Sequence, residues 1–268
     1  MSASSKDPLV FDAKMATRLE KLYASPQVVA QRVKFRELLA ARPGEVGLDV
    51  GCGVGLLSCE LAREVSPGGR IIALDNSPDM LQATQVRLGK EDLGHCVETR
   101  LGEATSLDLA DESVDFVVGV QVYSYVQEVE RAIGEAARVL RKGGRLAILE
   151  TDWGMCIYES RDPALSRRII DGRAAHFAHP YLPRRLHRLF RDAGLSLTRS
   201  GVHPMMETHY DPDSFGAGMV TIARDAAIRY GGINAADADA WVADIQSRKD
   251  PGEYFFCTNR LIFVATKN

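Results

Sequence analysis

The sequence predicts an α/β protein built on one sheet whose strands are covered on both faces, and three observations carry the prediction. Val46–Val50 and residues 71–74, 116–120, 146–149 and 261–265 are continuous apolar runs, the pattern of strands buried on both sides. The first runs through Leu48-Asp49-Val50 straight into Gly51-Cys52-Gly53-Val54-Gly55, and residues 56–63 read as the start of a helix. Pro43-Gly44, Pro67-Gly68-Gly69 and Lys142-Gly143-Gly144 are the turns that launch strands.

The remaining elements follow in order. Ser77 is a good N-cap, with Pro78 at the first helical position and Asp79 favourable toward the helix dipole. Val97-Glu98-Thr99-Arg100-Leu101 alternates, as does Leu195-Ser196-Leu197-Thr198, so each has one wet or half-covered face and suits a sheet edge. Leu182, Leu186, Leu189, Phe190 and Ala193 form the stripe of one helix that Gly194 ends. Three segments exceed a minimal core within a single domain of residues 1–268. Residues 8–42 read as two helices broken at Ser25-Pro26, 152–180 as a long excursion after the fifth strand, and 209–251 as two more helices. Ligands of open α/β sheets bind outside the carboxyl ends of the strands. Insertions starting there are expected to form an N-terminal lid and two substrate caps.

Bulk properties narrow the class. A chain of 268 residues can bury one large core. A net charge of −3 gives no basic footprint for nucleic acid, and no run of about 18 apolar residues offers a membrane span. The first residues lack the apolar core of a signal peptide, and five cysteines without paired spacing read as reduced thiols, so a cytoplasmic protein is expected.

The chemistry concentrates at the glycine turn. Gly51, Gly53 and Gly55 let backbone N–H groups approach a ligand that any Cβ would obstruct. Asp49 adds a carboxylate there, which suits a ligand carrying an ammonium rather than a phosphate. Asp75 ends the second strand where an acid accepts both hydroxyls of a ribose. One acid for an amine and one for a ribose point to S-adenosylmethionine rather than a dinucleotide.

The D-x-G-x-G-x-G motif, Asp75 and Leu140-Arg141-Lys142-Gly143-Gly144-Arg145-Leu146 resemble the class I S-adenosylmethionine-dependent methyltransferases, nearest to the small-molecule branch of ubiquinone/menaquinone C-methyltransferases. The resemblance covers about residues 28–202. It implies a Rossmann-like seven-stranded sheet of order 3-2-1-4-5-7-6 with the last strand antiparallel, which puts the two alternating strands at opposite edges. It further implies that Gly51, Cys52 and Gly53 line the methionine moiety, Asp49 holds its amine, Asp75 and Asn76 meet the ribose, and Met80 meets the adenine. Glu103-Ala104 matches an acid–alanine pair at the adenine edge, with Glu where Asp is commoner. Gln121 falls near the methyl donor, and Tyr23 closes over the methionine end.

Acceptor-side residues are expected from the strand ends and the lids: Tyr123, Tyr125, Trp153, Tyr158 and His176. His179 is the expected base, with Glu150 and Asp152 as rivals, since a histidine titrating near neutrality suits deprotonation of a phenol or ammonium. After the fourth strand Val120-Gln121-Val122-Tyr123 replaces the Asn/Asp-Pro-Pro-aromatic signature of nucleic-acid amine methyltransferases, and no third cysteine joins Cys156 and Cys257 for an arsenite acceptor. No metal ligands are expected. The reading is methyl transfer to O, N or C of a small aromatic or conjugated metabolite. Two alternatives stand beside it: a non-methylating cyclase or regulatory binder on the same fold, and an NAD-dependent oxidoreductase, which Leu56 in place of the third dinucleotide glycine disfavours.

Overall fold

A computed structural model describes residues 20, 22–250 and 252–268. The opening of the expected lid (8–19 and 21) and Pro251, which closes the expected second cap, lie outside the described residues. The chain turns at Ala24-Ser25, and Pro26 then opens α1 (Pro26–Leu39), which ends on Ala40 in the left-handed region.

Strand β1 (Val46–Val50) lies at the centre, parallel to β2 (Arg70–Asp75) on one side and to β4 (Val114–Val120) on the other. Outward from these, β3 (Val97–Leu101) pairs with β2, and β5 (Leu140–Thr151) with β4, both parallel. β8 (Phe256–Lys267) runs antiparallel against β5, and β7 (Leu195–Glu207) antiparallel against β8. A two-residue strand, β6 (Ile157–Tyr158), pairs with Cys257 and Phe256, which β7 already covers from the other side. It therefore continues the line of β5. The expected seven-strand order is present, with the alternating β3 and β7 at opposite edges and β6 added.

Strand residues divide by their period of two. Leu48, Val50, Ile72, Leu74, Val117, Leu146 and Ile148 pack on one face against Ile133 and Ala136 of α4 (Val129–Val139) and against Leu186 and Phe190 of α6 (Leu186–Asp192). Ile71, Ala73, Phe116, Val118, Ala147 and Leu149 pack on the other against Phe35 and Leu39 of α1, Leu57 and Leu61 of α2 (Leu56–Val65) and Leu81 of α3 (Pro78–Glu91). The strands exceed their apolar runs because ladder hydrogen bonding continues into polar residues. Edge strand β7 even takes in Pro204, which costs little where one side needs no donor.

The expected single helix from Leu182 is two pieces. Pro183 has no N–H, and the first turn closes with Arg184 N–H to Tyr181 O and Arg185 N–H to Leu182 O before α6 begins. The insertions build a second core. Helices α5 (Pro163–Ala174), α7 (Phe215–Gly231) and α8 (Ala235–Ser247) enclose Trp153, Ile169, Phe177, Phe215, Val220 and Trp241. α5 and α7 meet backbone to backbone: a Cβ on Gly231 would stand 2.3 Å from Gly172 Cα. Among the described residues no helix is long and apolar enough to cross a membrane.

One tight contact tests the packing of the β1–β4 pair. A Cβ on Gly47 would lie 2.2 Å from the Phe116 ring, and Phe116 is fully buried. Gly47→Ala should lower unfolding free energy by about 1–3 kcal/mol, the range for overpacking. In a double-mutant cycle Phe116→Leu should recover part of that loss, measured by urea unfolding.

Candidate functional site

The glycine turn after β1 is held from below by the end of β2. Gly51, Gly53 and Gly55 all have positive φ (66°, 56° and 77°), conformations that a side chain makes costly. Gly53 N–H donates to Asp75 Oδ2 at 2.9 Å, Ser77 N–H donates to Asp75 Oδ1 at 2.9 Å, and Thr84 Oγ1 donates to Gly53 O at 2.7 Å. A Cβ at Gly51 would strike Val122 at 2.4 Å, whereas one at Gly53 would meet no protein atom within 4 Å. Gly53 thus turns its Cα toward open space. That space is a cavity of about 410 Å³ at the carboxyl ends of the central strands.

All eleven residues expected to hold the cofactor line this cavity: Tyr23, Asp49, Gly51, Cys52, Gly53, Asp75, Asn76, Met80, Glu103, Ala104 and Gln121. Asp49 is buried and accepts from Ser58 Oγ at 2.6 Å; burial pushes its carboxyl up to about 7. Burial raises Asp75 as well, against the backbone donors of Ser77 and Gly53. Asn76 Nδ2 donates to Glu103 Oε1 at 3.3 Å. Helix α1 supplies Val28, Gln31 and Arg32 to the cavity wall. Arg32 bonds Glu60 of α2 at 2.9 Å and the Tyr23 carbonyl at 2.8 Å, which ties the N-terminal segment to the helix leaving the glycine turn.

At the far end, Gln121 leaves β4 with φ 59° and its N–H on Leu149 O. Fully buried Glu150 fixes the loop that follows: its Oε1 accepts from Val122 N–H at 3.0 Å and Ser124 N–H at 3.2 Å. Burial pushes this carboxyl up to about 7, opposed by those donors and by Arg260. Arg260 of β8 donates to Gln121 Oε1 and Thr151 Oγ1 and also lines the cavity.

The acceptor-side expectations divide. Tyr125 lines the cavity and packs against Phe177 and His176, with ring centroids at 4.7 and 5.5 Å. Tyr123 does not; it is buried in the core beside Gly119, because the tight turn closed by Tyr125 N–H on Val122 O and Val126 N–H on Tyr123 O points the two tyrosines to different sides. Trp153 and Tyr158 belong to the cap core, Tyr158 with its hydroxyl on Gly216 O, and His176 sits between Tyr125 and Tyr230. Residues 152–250 supply none of the cavity's lining among the described residues. The caps back the wall rather than form it.

The three expected bases also stand outside the lining. His179 Nε2 faces Gln127 O at 3.1 Å and Nδ1 faces an Arg185 guanidinium nitrogen at 3.3 Å. A carbonyl can only accept and a guanidinium only donate, so both ring nitrogens are committed to holding the 125–128 loop. Asp152 pairs with Arg184 at 2.5 Å and caps Gly154 N–H. Sequence reading missed Gln31, Arg32, Gln127 and Arg260. The last had a signal: a lone arginine directly before the apolar run of the final strand.

Residues 48–148 match the methyltransferase domain family. Two curated relatives are an arsenite methyltransferase of Halobacterium salinarum, 41% identical over 109 residues (41% of this chain, 28% of that protein), and a demethylmenaquinone methyltransferase of Lactobacillus johnsonii, 32% identical over 120 residues (45% and 49%). The chain thus spans half or less of the length of these relatives. Among solved structures, the geranyl diphosphate C-methyltransferase of Streptomyces coelicolor, solved with S-adenosyl-L-homocysteine, superposes with a TM-score of 0.59 at 15% identity, covering 90% of this chain and 76% of that one. Fold, glycine turn and family match together define a class I S-adenosylmethionine-dependent methyltransferase domain.

Glu150 yields a prediction. Its folded-state pKa stands above the usual carboxyl value of 4.5, so the native state holds a proton that the unfolded chain releases between about pH 4.5 and 7. The corresponding stability is present at low pH and lost as pH rises through 7. Glu150→Gln removes this dependence while keeping an oxygen for Val122 and Ser124. From pH 5 to 8 the variant should gain on wild type by up to about 3 kcal/mol in urea unfolding, Asp49 leaving a residual slope in both.

Proposed function

We propose that the protein transfers the methyl group of S-adenosylmethionine to a small acceptor bound at the Gln121 end of the cavity. The observation that carries this reading is the convergence of Asp49, Asp75 and an open Gly53 on one space, with room past the glycine turn. Gly53 answers the question of fit: it presents backbone where a Cβ would occupy the cavity.

The bound cofactor supplies a methyl already activated on a sulfonium, displaced in line with a neutral thioether leaving. The chain's own residues then bind, align and exclude water. Asp75 keeps lone pairs beyond those taken by Gly53 and Ser77, enough to accept ribose hydroxyls. Asp49 offers its carboxylate to the ammonium. Tyr23 and α1 roof the cavity under the Arg32 tether, while Tyr125, held by Phe177, flanks the acceptor. We infer that His179 positions the 125–128 loop and that the acceptor is nucleophilic without a dedicated base. Among the described residues no three His, Cys, Asp or Glu side chains gather as a metal site, and of the five cysteines Cys52 lines the cavity. This favours an organic acceptor over a thiolate-bound one.

Binding of S-adenosylhomocysteine by calorimetry tests the reading; a wild-type protein that does not bind it overturns it. Asp75→Ala should weaken binding by about 1.5–3 kcal/mol, the usual cost for hydrogen bonds to a charged group, with circular dichroism confirming the fold. Affinity should also rise with pH from 5.5 to 7.5, since the free protein holds Asp49 protonated below about 7 and the ammonium selects the ionised form. Asp49→Asn should flatten that rise.

A further inference from the structure

Arg260 is 3% exposed and lines the cavity, yet among the described residues no carboxylate lies within 4.0 Å of its guanidinium. Other half-hidden or buried arginines of the central sheet and α1 are paired: Arg32 with Glu60 at 2.9 Å, Arg145 with Glu45 at 2.7 Å. Arg260 instead gives Nη1 to two neutral oxygens, on Gln121 and Thr151, and Nε to the Met205 sulfur at 3.2 Å, a weak acceptor. Among the described residues Nη2 enters none of these bonds and is not a sealed atom lacking a partner. The guanidinium carbon lies 4.8 Å over the Phe215 ring of the cap.

A second cation adds to the field. Arg173 of α5 is 6% exposed, stacks 3.4 Å over Trp153 and likewise has no carboxylate within 4.0 Å among the described residues. Glu150 on the neighbouring strand attracts Arg260 from a distance, but its Oε1 serves two backbone donors. The acids lining the cavity belong elsewhere: Asp49, Asp75 and Glu103 to the glycine-turn end, and exposed Glu128 to the solvated rim.

Building on the proposed function, we propose that the methyl acceptor carries one carboxylate, received by the Arg260 guanidinium beside Gln121. A planar fork of N–H donors matches a carboxylate, and a buried cation without an ion-pair partner is stabilised by a bound anion more than by any neutral group. Among the described residues, one lining cation without a carboxylate within 4.0 Å suits a monoanion. A phosphate monoester, carrying about −1.5 to −2 at pH 7, would bring charge that Arg260 alone does not balance.

The test uses the full chain saturated with S-adenosylhomocysteine at fixed ionic strength. Benzoate, indole-3-acetate and hexanoate are titrated against their primary amides by calorimetry, with thermal shift as a second readout. In wild type at least one acid should bind about tenfold or more tightly than its amide. Arg260→Gln should bring each pair within about twofold, while Arg260→Lys, which keeps the charge, should retain a preference above about threefold. A wild type that binds S-adenosylhomocysteine but treats acids and amides alike overturns the proposal and leaves the methyltransferase reading standing. So does an Arg260→Gln variant that keeps the preference. Should that variant not fold, the wild-type comparison and the lysine variant decide alone. Failure of wild type to bind S-adenosylhomocysteine overturns both readings.

Discussion

The carboxylate of Asp75 joins the end of β2 to two turns at once, through Gly53 N–H on one oxygen and Ser77 N–H on the other. Three of the five residues of the glycine turn have no side chain to hold its shape, so this acid and the Thr84 hydroxyl define where its backbone faces. The start of α3, and with it Met80 in the cavity wall, is set by the same group. Glu150 repeats the device one layer across, fixing Val122 and Ser124 from the end of β5. In both cases buried carboxylates give lone pairs to backbone N–H groups that would otherwise be unsatisfied. Desolvation raises both acids, so the site is built from groups that bind protons more readily than ordinary carboxyls.

Much of this architecture is legible from residue pattern alone. Continuous apolar runs mark strands covered on both faces, alternation marks β3 and β7, and the order of glycine turn and strand-end acid places the cavity. What failed to be legible depends on directions rather than positions. Tyr123 and Tyr125 are two residues apart in a loop, and no periodicity says that one enters the core while the other faces the cavity. Trp153 and Tyr158 look like an acceptor's aromatic wall, yet they fill the interior of the cap beside Ile169, Phe215, Met219 and Trp241 of its three helices. Arg260 was hidden because a charge at a strand's start reads as its solvated end. Here the strand continues to Phe256 between two neighbours, which buries it.

The cavity is electrically divided. Carboxylates gather where β1, β2 and β3 end, while the one cation there without a carboxylate partner within 4.0 Å among the described residues comes from β8, the last strand to join. Arg32 is neutralised by Glu60 and acts as a strap for Tyr23. A ligand with an amine at one end and an anionic partner at the other is oriented by this field before any close contact forms.

The contact of Gly172 with Gly231 bears on how such a protein diversifies. With backbones touching, the two helices have no side chain between them to trim, and adding even a methyl group would force them apart. The cap therefore gives the cavity wall a stiff backing of fixed spacing. Room for a bulkier acceptor has to come from elsewhere, by shortening Tyr125 or resetting the α1 segment. A lineage exploring new acceptors would accumulate its changes there and keep this pair of glycines silent.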